Sequence, residues 1–401
     1  MRVGLLSFIK SDNYGACLQA WSLYNALTEL GCDCEYIDYR RPYTNDVVIW
    51  LLRKIYSQIC GIDDYPSYTI RAFIEELTKR TEIKGYGSDE RKALFKEFWE
   101  LCKYSEPVSK KNLYRIEKKY DVVISGSDQI WNPGELNLDT TYLLDFVNGG
   151  NERRNSYASS IALGRIPPKY RKDYLNGLQR FAQISVREKC GAVDELQTLL
   201  PNKKIVIMPD PVFLTDIQRW IELSDESMTL PDEGKYIFVY DILRSSGFIN
   251  SVSEIASHIR KCPIRRVFST DIGEESTSEA VGPRQWLSLI HKSGLVVTNS
   301  FHAVCFSLIF GRPFIYIGSD HPRIIQTESR INELLSVYEI DGRIIKENRY
   351  TYEEGQIITV LQNTVSECLD RMMPYDVISS ILTDQRQKGI DYLRGCLRHN
   401  E

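Results

Sequence analysis

The stretch with the most chemical content is Leu295-Val296-Val297-Thr298-Asn299-Ser300-Phe301-His302, running on into Ala303-Val304-Cys305-Phe306-Ser307-Leu308-Ile309-Phe310-Gly311-Arg312-Pro313. A short apolar run gives way to a polar tip ending in histidine. A second apolar run follows, too long for one strand, and closes on Gly and then Pro. This pattern predicts a buried strand, a tight turn and a buried helix. His302 then stands at the carboxyl end of the strand and the amino end of the helix. In open parallel sheets ligands bind there, and the free N–H groups favour an anion. Imidazole exchanges a proton readily near neutral pH, so His302 is a candidate acid–base group. The alternative for the same position is a buried histidine satisfied by a carbonyl.

Three other stretches deliver polar groups at the ends of apolar runs. Tyr120-Asp121-Val122-Val123-Ile124 leads into Ser125-Gly126-Ser127-Asp128-Gln129-Ile130-Trp131-Asn132-Pro133, which brings an acid, an amide and a tryptophan to one turn. Ile184-Ser185-Val186-Arg187-Glu188 ends on an arginine–glutamate pair. Near the amino terminus, Ser11-Asp12-Asn13-Tyr14-Gly15 separates an apolar run from a helical pattern. A short turn of this kind at a helix start either holds phosphate or serves as an N-cap with a turn glycine. It lacks the G-x-G-x-x-G fingerprint, so a nicotinamide dinucleotide is not indicated.

These turns need a scaffold that brings strand ends together. Val3 to Phe8, a helix from Ala16 to Leu27 stopped by Gly31, and Glu35 to Tyr39 form a βαβ unit, which implies a parallel sheet. Residues 43–118 break the alternation with amphipathic runs such as Val47–Ile55 and Lys92–Trp99. They read as a helical insertion that forms a lid, an acceptor wall, a membrane-surface contact or plain packing against its own domain. Strands resume at Tyr120, Asn155, Ile184 and Ile205, with a helix at 168–182. After a polar, turn-rich stretch at 215–234, a second series runs from Tyr236 through helices near 247–260 and 283–292 to Phe314–Ile317. With 401 residues, two domains are the default. The expected fold is α/β, with two Rossmann-like domains facing a cleft. The domains are 1–215 and 216–375, followed by a C-terminal segment, 376–401, whose amphipathic basic helix from Ile390 to Arg398 docks back on the first domain or lies solvated.

Bulk composition narrows the function. A net charge of −4 argues against nucleic-acid backbone binding, which needs a basic surface. The ten cysteines include no C-x-x-C pair, and only five histidines accompany them, so a zinc site is not expected. Unpatterned thiols suit a reducing cytosol. The amino terminus does not read as a signal peptide, and no run reaches the ~18 apolar residues of a spanning helix. The expectation is a cytoplasmic protein, with at most peripheral contact at the inner face of the membrane.

Taken in order, Ser11-Asp12-Asn13-Tyr14-Gly15-Ala16 with Leu18-Gln19-Ala20, Gly126-Ser127-Asp128-Gln129-Ile130-Trp131-Asn132, Val186-Arg187-Glu188, Asp210-Pro211, Thr298-Asn299-Ser300-Phe301-His302 and Gly311-Arg312-Pro313-Phe314 resemble the polysaccharide pyruvyl transferase family. Ala303 stands where that family commonly has glycine. The resemblance implies a glycosyltransferase-B-like fold, phosphoenolpyruvate as donor and a sugar hydroxyl pair as acceptor. The product would be a pyruvate ketal on a cell-surface polysaccharide, such as a capsule or exopolysaccharide, or on its lipid-linked precursor, with phosphate released. No cofactor is implied beyond the donor substrate.

It also implies roles. His302 is the proton carrier and Arg187 holds the donor's anionic groups, because a planar fork meets carboxylate and phosphate bidentately; the alternative for Arg187 is an ion pair with a neighbouring carboxylate. Asp128 orients an acceptor hydroxyl or acts as base, or else closes an Asx-turn. Ser300 donates to phosphate or caps the following helix. Asn13 and Gly15 line the cleft through backbone N–H groups. One of Arg312, Arg323 and Arg330 completes an anion clamp, with Arg312 and Arg330 preferred. Trp131 stacks on a sugar or belongs to the core. The competing functions are a nucleotide-sugar glycosyltransferase of the same fold and a non-catalytic glycan-binding subunit of capsule assembly.

Overall fold

The computed structural model describes residues 1–40, 89–133, 139–162, 165–189, 191–225, 228, 230–242, 247–268, 280–318, 322–347 and 354–398. Over these residues the chain builds two wholly parallel sheets. The first contains β1 (Arg2–Leu6), β2 (Asp33–Tyr36), β3 (Val122–Asp128), β4 (Arg154–Ser159), β5 (Ile184–Val186) and β6 (Ile205–Ile207), ordered β2-β1-β3-β4-β5-β6. The second contains β7 (Ile237–Asp241), β8 (Ile264–Phe268), β9 (Leu295–Thr298), β10 (Phe314–Gly318) and β11 (Ile344–Lys346), ordered β11-β10-β9-β7-β8. Parallel strands require crossovers that cover both faces of the sheet, which is why β1 and β9 read as unbroken apolar runs.

Strand order reverses between β1 and β3 in one sheet and between β7 and β9 in the other. The crevice beyond the carboxyl ends at such a reversal is the binding position of open α/β sheets. The helices that start there are α1 (Tyr14–Glu29), after β1, and a later one, Phe301–Ile309, after β9. Between them in sequence, leaving aside the single turn Leu113–Ile116, lie α2 (Asp89–Trp99), α3 (Arg171–Leu178), α4 (Gly191–Leu199), α5 (Ile217–Leu223), α6 (Gly247–Arg260) and α7 (Pro283–His291), so Phe301–Ile309 is α8. It is followed by α9 (Pro322–Val337), α10 (Glu354–Asp370) and α11 (Tyr375–Leu397).

The two halves share one apolar core along α1, α7 and α8. Trp220 packs on Trp21 at 5.1 Å and on Phe306 at 4.9 Å between ring centroids, while Tyr14 stacks on Trp286 at 5.4 Å. Of the helical insertion, the run Val47–Ile55 lies outside the described residues. The Lys92–Trp99 run is within α2, whose Phe95 and Phe98 are buried. Arg91 of α2 is fully buried and donates from Nη2 to the Asp12 carbonyl at 2.9 Å, bracing the loop that precedes α1.

The C-terminal helix is longer than the 390–398 stretch suggests. It runs for 23 residues as α11, with Ile378, Ile381 and Leu382 at helical spacing ahead of the polar stretch 383–388 that hides the continuity. It crosses back onto the first half. Tyr392 Oη donates to the Ser156 carbonyl at 2.9 Å, and Arg386 donates to the Leu214 carbonyl at 3.0 Å and to Asp216 at 3.1 Å. Gly389 has no side chain because a Cβ there would lie 2.5 Å from Leu214 and from Tyr157 Oη.

Candidate active site

The tip between β9 and α8 is tied down on every side but one. Thr298 Oγ1 donates to the Tyr240 carbonyl at 2.7 Å and accepts from Ser300 N at 3.0 Å. Asn299 donates to Asp241 at 2.7 Å and accepts from Ile242 N at 2.8 Å. Ser300 is the N-cap of α8, its hydroxyl accepting from Ala303 N at 3.4 Å. Capping is therefore the role the geometry gives Ser300. With the preceding polar residues fixed to β7 and to the helix, Phe301 and His302 face the other half.

His302 meets α1 there. Asn13 is exposed and caps α1, accepting from Ala16 N at 3.1 Å. Two residues on, Gly15 is buried directly against the imidazole: a Cβ on Gly15 would lie 2.1 Å from His302 Nδ1. The amino ends of two helices from two sheets thus converge on one imidazole, and both dipoles favour an anion at that point.

The opposite edge of the ring faces the end of β6. His302 Nε2 lies 3.5 Å from Asp210 Oδ2. Asp210 is fully buried and accepts from Arg187 Nη1 at 2.8 Å through the same oxygen, while its Oδ1 accepts from Val212 N at 3.1 Å. Arg187, at the end of β5, also donates from Nε to Glu188 at 3.3 Å, so the predicted ion pair with a neighbouring carboxylate is present as well. Its Nη2 is buried and has no hydrogen-bond partner. Glu188 is held by the Ser160 hydroxyl and by Ala162 N.

A second guanidinium shares this place. Arg330 of α9 lies 5.4 Å from the Phe301 ring centroid, and Arg187 lies 5.2 Å from the same ring. Both distances are within cation–π range. Two buried arginines share one phenyl ring beside the histidine, and Asp210 and Glu188 are paired with the first of them. The titration directions reflect both burial and these carboxylates. Burial first and Arg187 second lower the Arg330 guanidinium, against Glu188 and Asp128. Burial also disfavours charge on Arg187, but Asp210, Glu188 and Asp128 outweigh it and raise the group above the usual arginine range. Asp210 is pushed up by burial, and this is more than reversed by His302 and Arg187, which hold it below the usual carboxylate range.

Asp128 ends β3 in the left-handed region, with φ 75°, and accepts from Gln129 N at 2.8 Å. Its carboxylate closes the turn and also contributes to the field at both arginines. Two candidates stand elsewhere. Arg312 lies beyond the far end of α8 and pairs with Glu233, because the whole helix separates it from the His302 turn. Trp131 is fully buried and donates to the Tyr142 carbonyl at 2.9 Å, so it belongs to the core. The Arg323 side chain lies outside the described residues. Sequence reasoning assigned no role to Asp210 or Phe301, although the first precedes a proline at a strand end and the second precedes the histidine. Among the described residues, no group of three or more His, Cys, Asp or Glu side chains is placed to hold a metal ion.

The fold and the site together define a two-domain α/β protein with a histidine–arginine centre built between its sheets. The sequence profile of the polysaccharide pyruvyl transferase family matches residues 13–321, and the chain belongs to that family. No curated protein sequence matches it. Among solved structures it is similar to the Methanocaldococcus jannaschii UDP-GlcNAc 2-epimerase in complex with UDP-GlcNAc and UDP, at 14% identity and TM-score 0.46, over 98% of this chain and 99% of that one. It is also similar to the Neisseria meningitidis UDP-GlcNAc 2-epimerase, at 10% identity and TM-score 0.43, over 97% of this chain and 100% of that one. A third similar structure is the E. coli heptosyltransferase WaaC, at 11% identity and TM-score 0.38, over 92% of this chain and 99% of that one.

Proposed function

We propose that the protein transfers the pyruvyl group of phosphoenolpyruvate onto a pair of sugar hydroxyls, forming a cyclic ketal on a glycan, free or lipid-linked, and releasing phosphate. The observation that supports this most is the convergence of His302 with Arg187 and Arg330 at two helix amino ends. The donor carries a carboxylate and a phosphate. The buried Arg187 Nη2, with a donor to spare, and the α1 and α8 amino ends offer N–H groups to both.

In this reading His302 delivers a proton to the donor's methylene carbon, and C2 becomes electrophilic. One sugar hydroxyl adds to C2 and its proton restores the imidazole. The C2–O bond to phosphate breaks, the second hydroxyl closes the ring, and its proton leaves with the phosphate. Positioned proton transfer of this kind contributes ~10²–10⁴ in rate. Asp128 stands at the cleft end of β3, where it can orient an acceptor hydroxyl. We place the enzyme in the cytoplasm; the eight described cysteines, all free thiols, support a reducing compartment. Among the described residues, no helix is long and apolar enough to cross a membrane.

The test is a screen of candidate glycans with phosphoenolpyruvate, read by the mass gain of one pyruvate ketal and by phosphate release. His302→Ala should abolish acceptor-dependent phosphate release and keep the fold. Near-normal turnover in that variant removes the assigned role. Release of UDP or GDP from a nucleotide sugar, without any ketal, replaces the reading with glycosyl transfer.

A further inference from the structure

We propose that Asp210 is a positioning residue that fixes which nitrogen of the His302 ring carries the proton and, through the same oxygen, seats Arg187 beside it. The inference takes its catalytic meaning from the function proposed above, but its geometric content stands without it.

Asp210 Oδ2 meets both groups, at 2.8 Å from Arg187 Nη1 and 3.5 Å from His302 Nε2. The carboxylate is itself immobilised. It is fully buried, it caps the turn Pro211–Leu214, and its other oxygen is taken by Val212 N. An ionised carboxylate is acceptor-only, so a neutral imidazole beside it is favoured with hydrogen on Nε2 and the lone pair on Nδ1. Catalytic hydrogen bonds are commonly long before substrate binds and shorten in the complex, which accounts for 3.5 Å and for Nε2 having no closer partner. The Nδ1 edge is held from the other side by Gly15, so the ring is located by one contact from each of two elements of the first half. The other charged groups around this centre are Arg330 from α9, Glu188 beside Arg187, and Asp128 from β3. Among the described residues, neither Glu188 nor Asp128 lies in an ion pair with the imidazole, and Asp210 is the carboxylate that sets its tautomer.

A purely structural carboxylate would also lower stability when replaced, so stability is not the test. The measurement is the long-range proton–nitrogen-15 spectrum of the His302 ring in the substrate-free protein, assigned by its loss in His302→Gln. The wild-type ring, when neutral, should carry its proton on Nε2. In Asp210→Asn an amide nitrogen in the place of Oδ2 presents a donor toward Nε2, so the proton should move to Nδ1, and Arg187 loses the acceptor it shared with the ring. The kcat for ketal formation should fall on the order of 10²–10⁴-fold, as expected when a triad aspartate becomes an amide and imposes the wrong tautomer. A wild-type ring protonated on Nδ1 overturns the proposal, even if Asp210→Asn does not fold. So does a variant whose tautomer or kcat matches the wild type. If the wild type forms no ketal but the tautomer changes as described, the proposed reaction fails and the positioning role of Asp210 stands.

Discussion

The contact between Gly15 and His302 gives a sharp prediction for Gly15→Ala. The added Cβ would lie 2.1 Å from Nδ1, 2.5 Å from Cγ and 2.8 Å from Cε1 of the imidazole. Carbon-scale contacts settle near 3.5 Å, so the ring must recede by about 1.4 Å. A misplacement of about 1 Å at reacting groups costs on the order of 10²-fold, so kcat/KM should fall by at least that, or about 2.7 kcal/mol in the barrier. Stability should fall by up to about 3 kcal/mol. Overpacking costs about 1–3 kcal/mol, and replacing glycine within a helix returns up to about 1 kcal/mol. The assay is phosphate release with phosphoenolpyruvate and the ketal-accepting glycan, beside thermal unfolding. The control is the double variant Gly15→Ala, His302→Ala, in which the clash is absent and the melting temperature should equal or exceed that of His302→Ala alone. A Gly15→Ala enzyme with wild-type kcat/KM would refute the claim that ring position governs turnover.

Arg187→Lys should raise the donor KM by about tenfold or more, since an ammonium reproduces neither the fork nor the stacking on Phe301; unchanged donor affinity by calorimetry excludes Arg187 from the anion site. Phe301→Leu removes the face shared by Arg187 and Arg330. At ~0.5–2 kcal/mol for each cation–π contact, donor binding should weaken about tenfold, whereas Phe301→Tyr should bind as the wild type does; equal loss in both variants points to packing instead. Acid should expose the Asp210 network. Its carboxyl is depressed in the folded state, so its stabilisation is complete above the unfolded carboxylate pKa of about 3.9 and fades as pH falls through the folded value. The melting-temperature gap between wild type and Asp210→Asn should therefore shrink below about pH 4; a gap that stays constant into strong acid contradicts it.

Much of this architecture is legible in the sequence because parallel strands advertise themselves. Buried on both faces, β1, β3, β7 and β9 appear as apolar runs ending in polar turns, and those turns are where the site lies. Helices α6 and α7 likewise follow from their periodicity. What stays hidden is long-range pairing. Asp210 reads as a polar residue before a proline, and only the fold brings it to Arg187 and His302 from strands more than twenty and ninety residues away in the chain. Arg312 and Arg330 look equivalent in sequence, both downstream of the histidine. The direction of α8 carries the first away, and α9 returns the second to Phe301. The length of α11 escapes for a different reason: the polar stretch 383–388 parts two apolar runs, Ile378 to Leu382 and Ile390 to Leu397, that belong to one helix and pack on one core.

The return of α11 bears on how the cleft can open. The polypeptide passes from the first half to the second between Asp216 and Ile237, and passes back along α11, whose Tyr375 lies against Gly311 while Arg386 and Tyr392 reach the first half. Two tethers constrain relative motion far more than one does. A helix that spans both halves, added to their shared core, holds the lateral registry of His302 with Gly15 and Asp210.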